Sequence, residues 1–117
     1  MRKTLVILSA TLFLAAPSAQ QPVDKTLDMY FIDVEGGHAT LYVSPSGESM
    51  LVDTGFETDG RDARRIHAAA QKAGLERIDH VVISHYHGDH VGGLAALSKL
   101  IPLGRFSGRG DKIYPVD

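Results

Sequence analysis

The chain has 117 residues, with twelve basic and fourteen acidic side chains and no cysteine. That length holds one small domain of the usual ~100–150 residues. Without cysteine there is no disulfide, no thiolate metal ligand and no cysteine nucleophile. The net charge of −2 gives no bulk attraction for nucleic acid.

The N-terminus has the layout of a secretory signal peptide over residues 1–19. Arg2-Lys3 supplies a positive start, Thr4 to Ala16 a short apolar run, and Pro17-Ser18-Ala19 a small-residue exit. Cleavage is expected after Ser18 or Ala19. The run is shorter than the ~20 residues a membrane helix needs, so no stable membrane insertion is expected afterwards. The expected location is the periplasm or the extracellular space. Losing Arg2 and Lys3 leaves ten basic against fourteen acidic side chains, net −4.

Residues 20–26 read as a loose polar arm. Leu27 to Val34 reads as a strand, with Tyr30, Ile32 and Val34 on one face and Met29, Phe31 and Asp33 on the other. Gly36-Gly37 makes a turn, with His38 as a turn histidine. Ala39 to Val43 and Ser49 to Asp53 form a hairpin across Ser44-Pro45-Ser46-Gly47-Glu48. Ala63, Ile66, Ala70 and Ala73 then recur at helical spacing, with Asp59 or Asp62 as cap and Gly74 as stop. Arg61, Arg64 and Arg65 on this helix read as a solvated face. His80 to Ser84 is a β-branched strand. Gly92 to Leu100 reads as one short helix, ended by Pro102 and Gly104. No assignment follows for the Gly- and Arg-rich segment from Arg105 to Gly110.

The strand at His80–Ser84 runs directly into His85-Tyr86-His87-Gly88-Asp89-His90, three imidazoles and a carboxylate within six residues. Neutral imidazole and carboxylate suit zinc or a similar first-row ion. In extended backbone, alternate residues share a face, so His85 and His87 can meet one ion together. Gly88 lets the chain turn and bring Asp89 and His90 to a second position nearby. Tyr86 points the other way, as a packing residue. His67 and His80 read as structural or exposed. Two metals a few ångström apart can clamp a hydrolytic transition state. A His-Glu-x-x-His zinc helix is disfavoured, because its ligands lie four apart.

At these residues the chain resembles the metallo-β-lactamase-fold superfamily. The resemblance covers about residues 27–103. It rests on the ligand motif, on Phe31-Ile32-Asp33-Val34-Glu35-Gly36-Gly37 and Ser49-Met50-Leu51-Val52-Asp53-Thr54-Gly55 as early strands, and on Val91-Gly92-Gly93-Leu94 as a helix start. Asp33 to Thr40 is also similar to the extracellular domain of competence-type DNA-uptake channels. Here, however, Glu35 replaces a usual Gly and His38 a usual Asp.

The resemblance implies an α+β, αββα sandwich, with its N-terminal half in residues 27–117. It implies His85 and His87 as ligands of a first metal, Asp89 and His90 as ligands of a second, and Asp53 as a carboxylate behind them. Further ligands are expected later in the chain. No His follows His90, and the later carboxylates are Asp111 and Asp117, so the sequence reads as a truncated N-terminal part of the domain.

The expected activity is that of an exported hydrolase acting on a small-molecule ester, amide or phosphoester. The cofactor is zinc, two ions in the parent protein, with iron or manganese as alternatives. Asp89 would also take a proton from the attacking water. Two other readings compete: an inactive half-domain with a weak metal site, and a nucleic-acid-processing module, which the acidic balance disfavours.

Overall fold

A computed structural model of the chain describes residues 26–110. The expected signal peptide, nearly all of the arm, and Asp111 and Asp117 lie outside the described residues. Five strands form one sheet in chain order: β1 (Asp28–Phe31), β2 (Thr40–Val43), β3 (Ser49–Val52), β4 (Ile78–Ile83) and β5 (Leu103–Gly108). The first three pair antiparallel. β3–β4 and β4–β5 pair parallel. A parallel pair needs a crossover, and α1 (Arg61–Lys72) supplies it between β3 and β4. No helix among the described residues is long and apolar enough to cross a membrane.

The hairpin from β2 to β3 forms as expected, with Leu41 opposite Leu51 and Val43 opposite Ser49. The first strand is shorter than expected. Ile32 N–H still reaches the Ala39 carbonyl at 3.0 Å, but the Asp33 carboxylate then accepts from Glu35 N–H at 3.1 Å. That local bond pulls the chain out of the ladder and into a turn. The expected faces persist: Val34 is buried, whereas Met29 and Phe31 are exposed.

Leu41, Leu51 and Val81 lie in register across β2, β3 and β4 and are fully buried. They share a core with Ala63, Ile66 and Ala70 of α1 and with Leu97 and Ile101. Burying a Leu or Ile side chain contributes about 1.5–3 kcal/mol, so this layer is the main source of stability.

Neither aspartate caps α1 with its side chain. Gly60 occupies the cap, after a 3-10 turn at Thr58–Gly60, and Asp62 lies inside the first helical turn. The C-terminus ends as read. Gly74 takes a left-handed conformation, its N–H bonds Gln71 O, and Leu75 N–H bonds Ala70 O at 2.9 Å, which closes the helix with a Schellman motif.

Two further expectations change. β5 covers most of the segment left unassigned, because parallel pairing with β4 imposes a strand that the Gly- and Arg-rich sequence does not favour alone. The single helix expected over Gly92–Leu100 is two short ones, α2 (Gly88–Val91) and α3 (Leu94–Leu97). The helix starts inside the histidine motif and is interrupted at Gly92-Gly93. The Asp89 and His90 carbonyls, which a continuous helix would use internally, instead accept from His38 N–H at 3.1 Å and Thr54 N–H at 2.7 Å. Gly93 makes this docking possible: a Cβ there would lie 2.1 Å from the Thr54 carbonyl oxygen.

Candidate metal centre

The candidate ligands sit where β4 ends. Val81 and Ile83 anchor that strand in the core, and the chain leaves it at Ser84. His85, His87 and Asp89 each offer a ligand atom, and these atoms all lie within 4.8 Å of one another. The His85 and His87 rings meet edge to face with centroids 4.7 Å apart. His90 lies beside this group. Its ring is 3.9 Å from that of His85, and its Nε2 is 3.4 Å from Asp89 Oδ2. Asp89 therefore borders both His85/His87 and His90.

Asp53 lies behind the ligands, 1% exposed. Its backbone is left-handed, φ 62, a conformation that Asp tolerates better than most residues. The turn aims its carboxylate at the neighbouring strand end. Oδ1 accepts Ser84 N–H at 2.8 Å, and Oδ2 accepts the Ser84 hydroxyl at 2.7 Å. His90 Nδ1 lies 2.7 Å from Oδ2. Burial pushes the Asp53 carboxyl up, but the hydrogen bonds from His90 and Ser84 outweigh it and hold the group below its ordinary value of 3.8.

An ionised Asp53 only accepts hydrogen bonds, and this fixes two imidazole tautomers. His90 must carry its proton on Nδ1 to donate to Asp53. Its Nε2, beside Asp89, is left with a free lone pair. Ser84 has one hydroxyl hydrogen, which goes to Asp53, so its oxygen must accept from His85 Nδ1, 3.0 Å away. His85 Nε2 is then also free to bind a metal. Imidazoles held in this way by a carboxylate and a hydroxyl are the usual support of a metal site.

The donor set fits a zinc-type ion: neutral imidazole nitrogens and a carboxylate oxygen, convergent and partly exposed. A family model of the metallo-β-lactamase superfamily matches residues 32–117.

The chain belongs to the metallo-β-lactamase superfamily. It is 32% identical over 99 residues to ribonuclease Z of Methanopyrus kandleri, covering 79% of this chain and 33% of that protein. It is 35% identical over 75 residues to hydroxyacylglutathione hydrolase of Xanthomonas euvesicatoria, covering 64% of this chain and 27% of the relative. The fold is similar to that of MEM-A1, a subclass B3 metallo-β-lactamase from a soil metagenome library, with a TM-score of 0.55 and 28% identity over 74% of this chain and 32% of that one. The chain thus spans a third or less of the length of these proteins.

Within this superfamily frame, the remaining sequence candidates take definite places. Tyr86 packs against the core beside β5. His80 pairs with Glu48 on the neighbouring hairpin, Nε2 to Oε1 at 2.9 Å. His38 is more than a turn histidine. Its N–H bonds Asp89 O, its carbonyl accepts Gly55 N–H at 3.0 Å, and its ring stacks parallel to that of His90 with centroids 6.2 Å apart.

The sequence did not disclose the part Ser84 plays beside the ligands, and it offered Asp62 only as a helix cap. Ser84 looked like the last residue of a strand, and only its position next to the first ligand hinted at more. Asp62 is fully buried and accepts from Phe56 N–H and Arg61 Nε. The arginines are not a free solvated face: Arg61 and Arg65 both reach Glu35, and Arg64 reaches the Asp59 carbonyl at 2.8 Å.

Proposed function

We propose that the protein is an exported zinc-dependent hydrolase that acts on a small-molecule ester, amide or phosphoester. The convergence of His85, His87 and Asp89 within 4.8 Å carries this reading. The superfamily, and relatives named as a hydrolase and a ribonuclease, support it. The charged start and short apolar run of residues 1–19 support export.

In this reading His85, His87, Asp89 and His90 hold the metal, with iron or manganese as competitors of zinc and two ions in the working site. Zinc, when bound, supplies Lewis acidity and a water whose pKa falls to near 7. Asp53 keeps His90 in the tautomer that can ligate, and it holds His85 the same way through Ser84. Asp89, whose side chain is 32% exposed, would take a proton from the attacking water in this reading.

The test is chelation. The protein should hydrolyse at least one of a panel of activated esters, chromogenic β-lactams and phosphodiesters. It should lose that activity in a strong chelator and regain it with zinc. Turnover indifferent to the chelator would sink the hydrolase reading. Zinc binding without turnover on any substrate would favour the competing one, a metal-binding half-domain. The likeness to ribonuclease Z also raises a nucleic-acid substrate. The acidic balance disfavours it, and failure to bind RNA or DNA at low salt would dispose of it.

A further inference from the structure

Glu35 stands out on two counts. It is a non-glycine residue with a left-handed backbone, φ 56, and its half-exposed carboxylate is gripped by two arginines from α1. Arg61 Nη1 donates to Oε2 at 2.7 Å, and Arg65 Nη2 donates to Oε1 at 3.1 Å. Arg65 also donates to the Asp33 carbonyl at 2.7 Å, and Arg61 to the Val34 carbonyl at 3.4 Å. Exposed ion pairs add little to stability, so stability alone does not account for a strained residue held this way. Strain kept in place by its surroundings points to a positioning role.

The web has two arms, and both end at the metal loop. Along the first, Glu35 leads through Gly36 to Gly37, which lies so close that a Cβ would be 2.3 Å from the Asp89 carbonyl oxygen. His38 N–H bonds that same oxygen at 3.1 Å. Along the second, Arg61 Nε holds buried Asp62 at 2.7 Å, and Asp62 Oδ2 accepts Phe56 N–H at 2.8 Å. Phe56 adjoins Gly55, whose N–H bonds the His38 carbonyl and whose own carbonyl accepts Gly93 N–H at 3.1 Å. The Asp89 backbone is thus fixed from the 33–38 turn, and that turn is fixed by α1.

We propose that Glu35 is a positioning residue for the metal centre, bracing the Gly36-Gly37-His38 turn against Asp89 through Arg61 and Arg65. The proposal rests on the metal-centre reading above. Its test uses the full chain, with zinc and cobalt(II) as probes and two variants. Glu35→Gly relieves the left-handed backbone but removes the carboxylate. Glu35→Gln keeps the size and removes the charge.

Both variants should melt within a few degrees of the parent when metal-free. Glu35→Gly should bind zinc about 10-fold more weakly in competition with a chromophoric chelator, at the low end of what outer contacts to a metal site contribute. Its cobalt(II) visible band should shift or weaken. Glu35→Gln should fall in between. Parent-like zinc affinity and an unchanged cobalt(II) spectrum in either folded variant would overturn the proposal. If Glu35→Gly does not fold, Glu35→Gln decides alone. If the parent itself binds neither ion, the metal-centre reading fails first and takes this proposal with it.

Discussion

Ser84 spends its single hydroxyl hydrogen on Asp53, and the lone pairs that remain orient His85. Replacing it with alanine removes a donor from a buried carboxylate and frees the His85 ring to take either tautomer. Ser84→Ala should lower zinc affinity about 10–100-fold, as outer contacts of metal ligands do. It should lower stability by only about 1 kcal/mol, the usual net worth of one hydrogen bond. Zinc titration and denaturant melts of the same samples read both. A variant that loses stability but keeps its affinity would show that Ser84 serves the fold and not the site. The candidate ligands His85, His87 and Asp89, whose ligand atoms converge, stood out in the sequence because they lie close together in the chain. Ser84, Asp62 and the Glu35 brace did not. The partners of Ser84 and Glu35 lie 31 and 26 positions away in sequence, and although Asp62 meets Phe56 only 6 positions away, an Asp in a first helical turn, like a lone Ser, has many commoner uses.

At the scale of elements, β3 and β4 are joined by more than their ladder. Asp79 accepts from Ser49 N–H at 3.0 Å and from the Ser49 hydroxyl at 2.9 Å. The Ser49 oxygen in turn accepts Asp79 N–H at 3.0 Å. The Ser49 bonds, backbone first, hold the Asp79 carboxyl below its ordinary 3.8, with Arg77 adding to the effect. A carboxyl whose pKa is lowered on folding stabilises the fold above its unfolded value. That contribution fades as the pH drops through the folded value. Melting temperature should therefore begin to fall as the pH drops below about 5 and go on falling below the ordinary value of 3.8. Asp79→Asn should melt lower than the parent near neutrality and depend less on pH in that window. Parallel profiles for the two proteins would remove Asp79 from the acid response. β2 and β3, marked by the turn between them, α1, marked by its helical spacing, and β4, marked by its β-branched run, were readable in the sequence. β5 and the break between α2 and α3 were not, since each depends on a neighbour: β5 on its pairing with β4, and the break on Thr54 and His38 capturing two helix carbonyls.

Across the whole molecule, the two faces of the sheet differ. One is covered by α1. On the other, Met29, Tyr42 and Met50 lie in one cross-strand row, beside Phe31, which is 77% exposed. Apolar rows of this kind drive association. The isolated chain should elute from a sizing column as concentration-dependent oligomers, more so in sulfate, which strengthens apolar burial. The double substitution Phe31→Ser, Met29→Ser should shift it towards monomer. A parent chain that stays monomeric at every concentration would contradict this.

The clustering of His85, His87 and Asp89 within five positions of one another also bears on how the protein comes to be folded. Contacts that close over so short a stretch form early, whereas those spanning tens of residues wait for the chain to be brought together. Asp53 meets His90 across 37 positions, and only once β3 and β4 have paired. In the zinc reading proposed above, an ion present during refolding would meet His85, His87 and Asp89 in a chain that is still open, whereas Asp53 orients His90, and His85 through Ser84, only when the sheet is complete. An open chain that already held some of the ion would leave zinc raising the stability of the folded state by less than its affinity for the finished site alone would give.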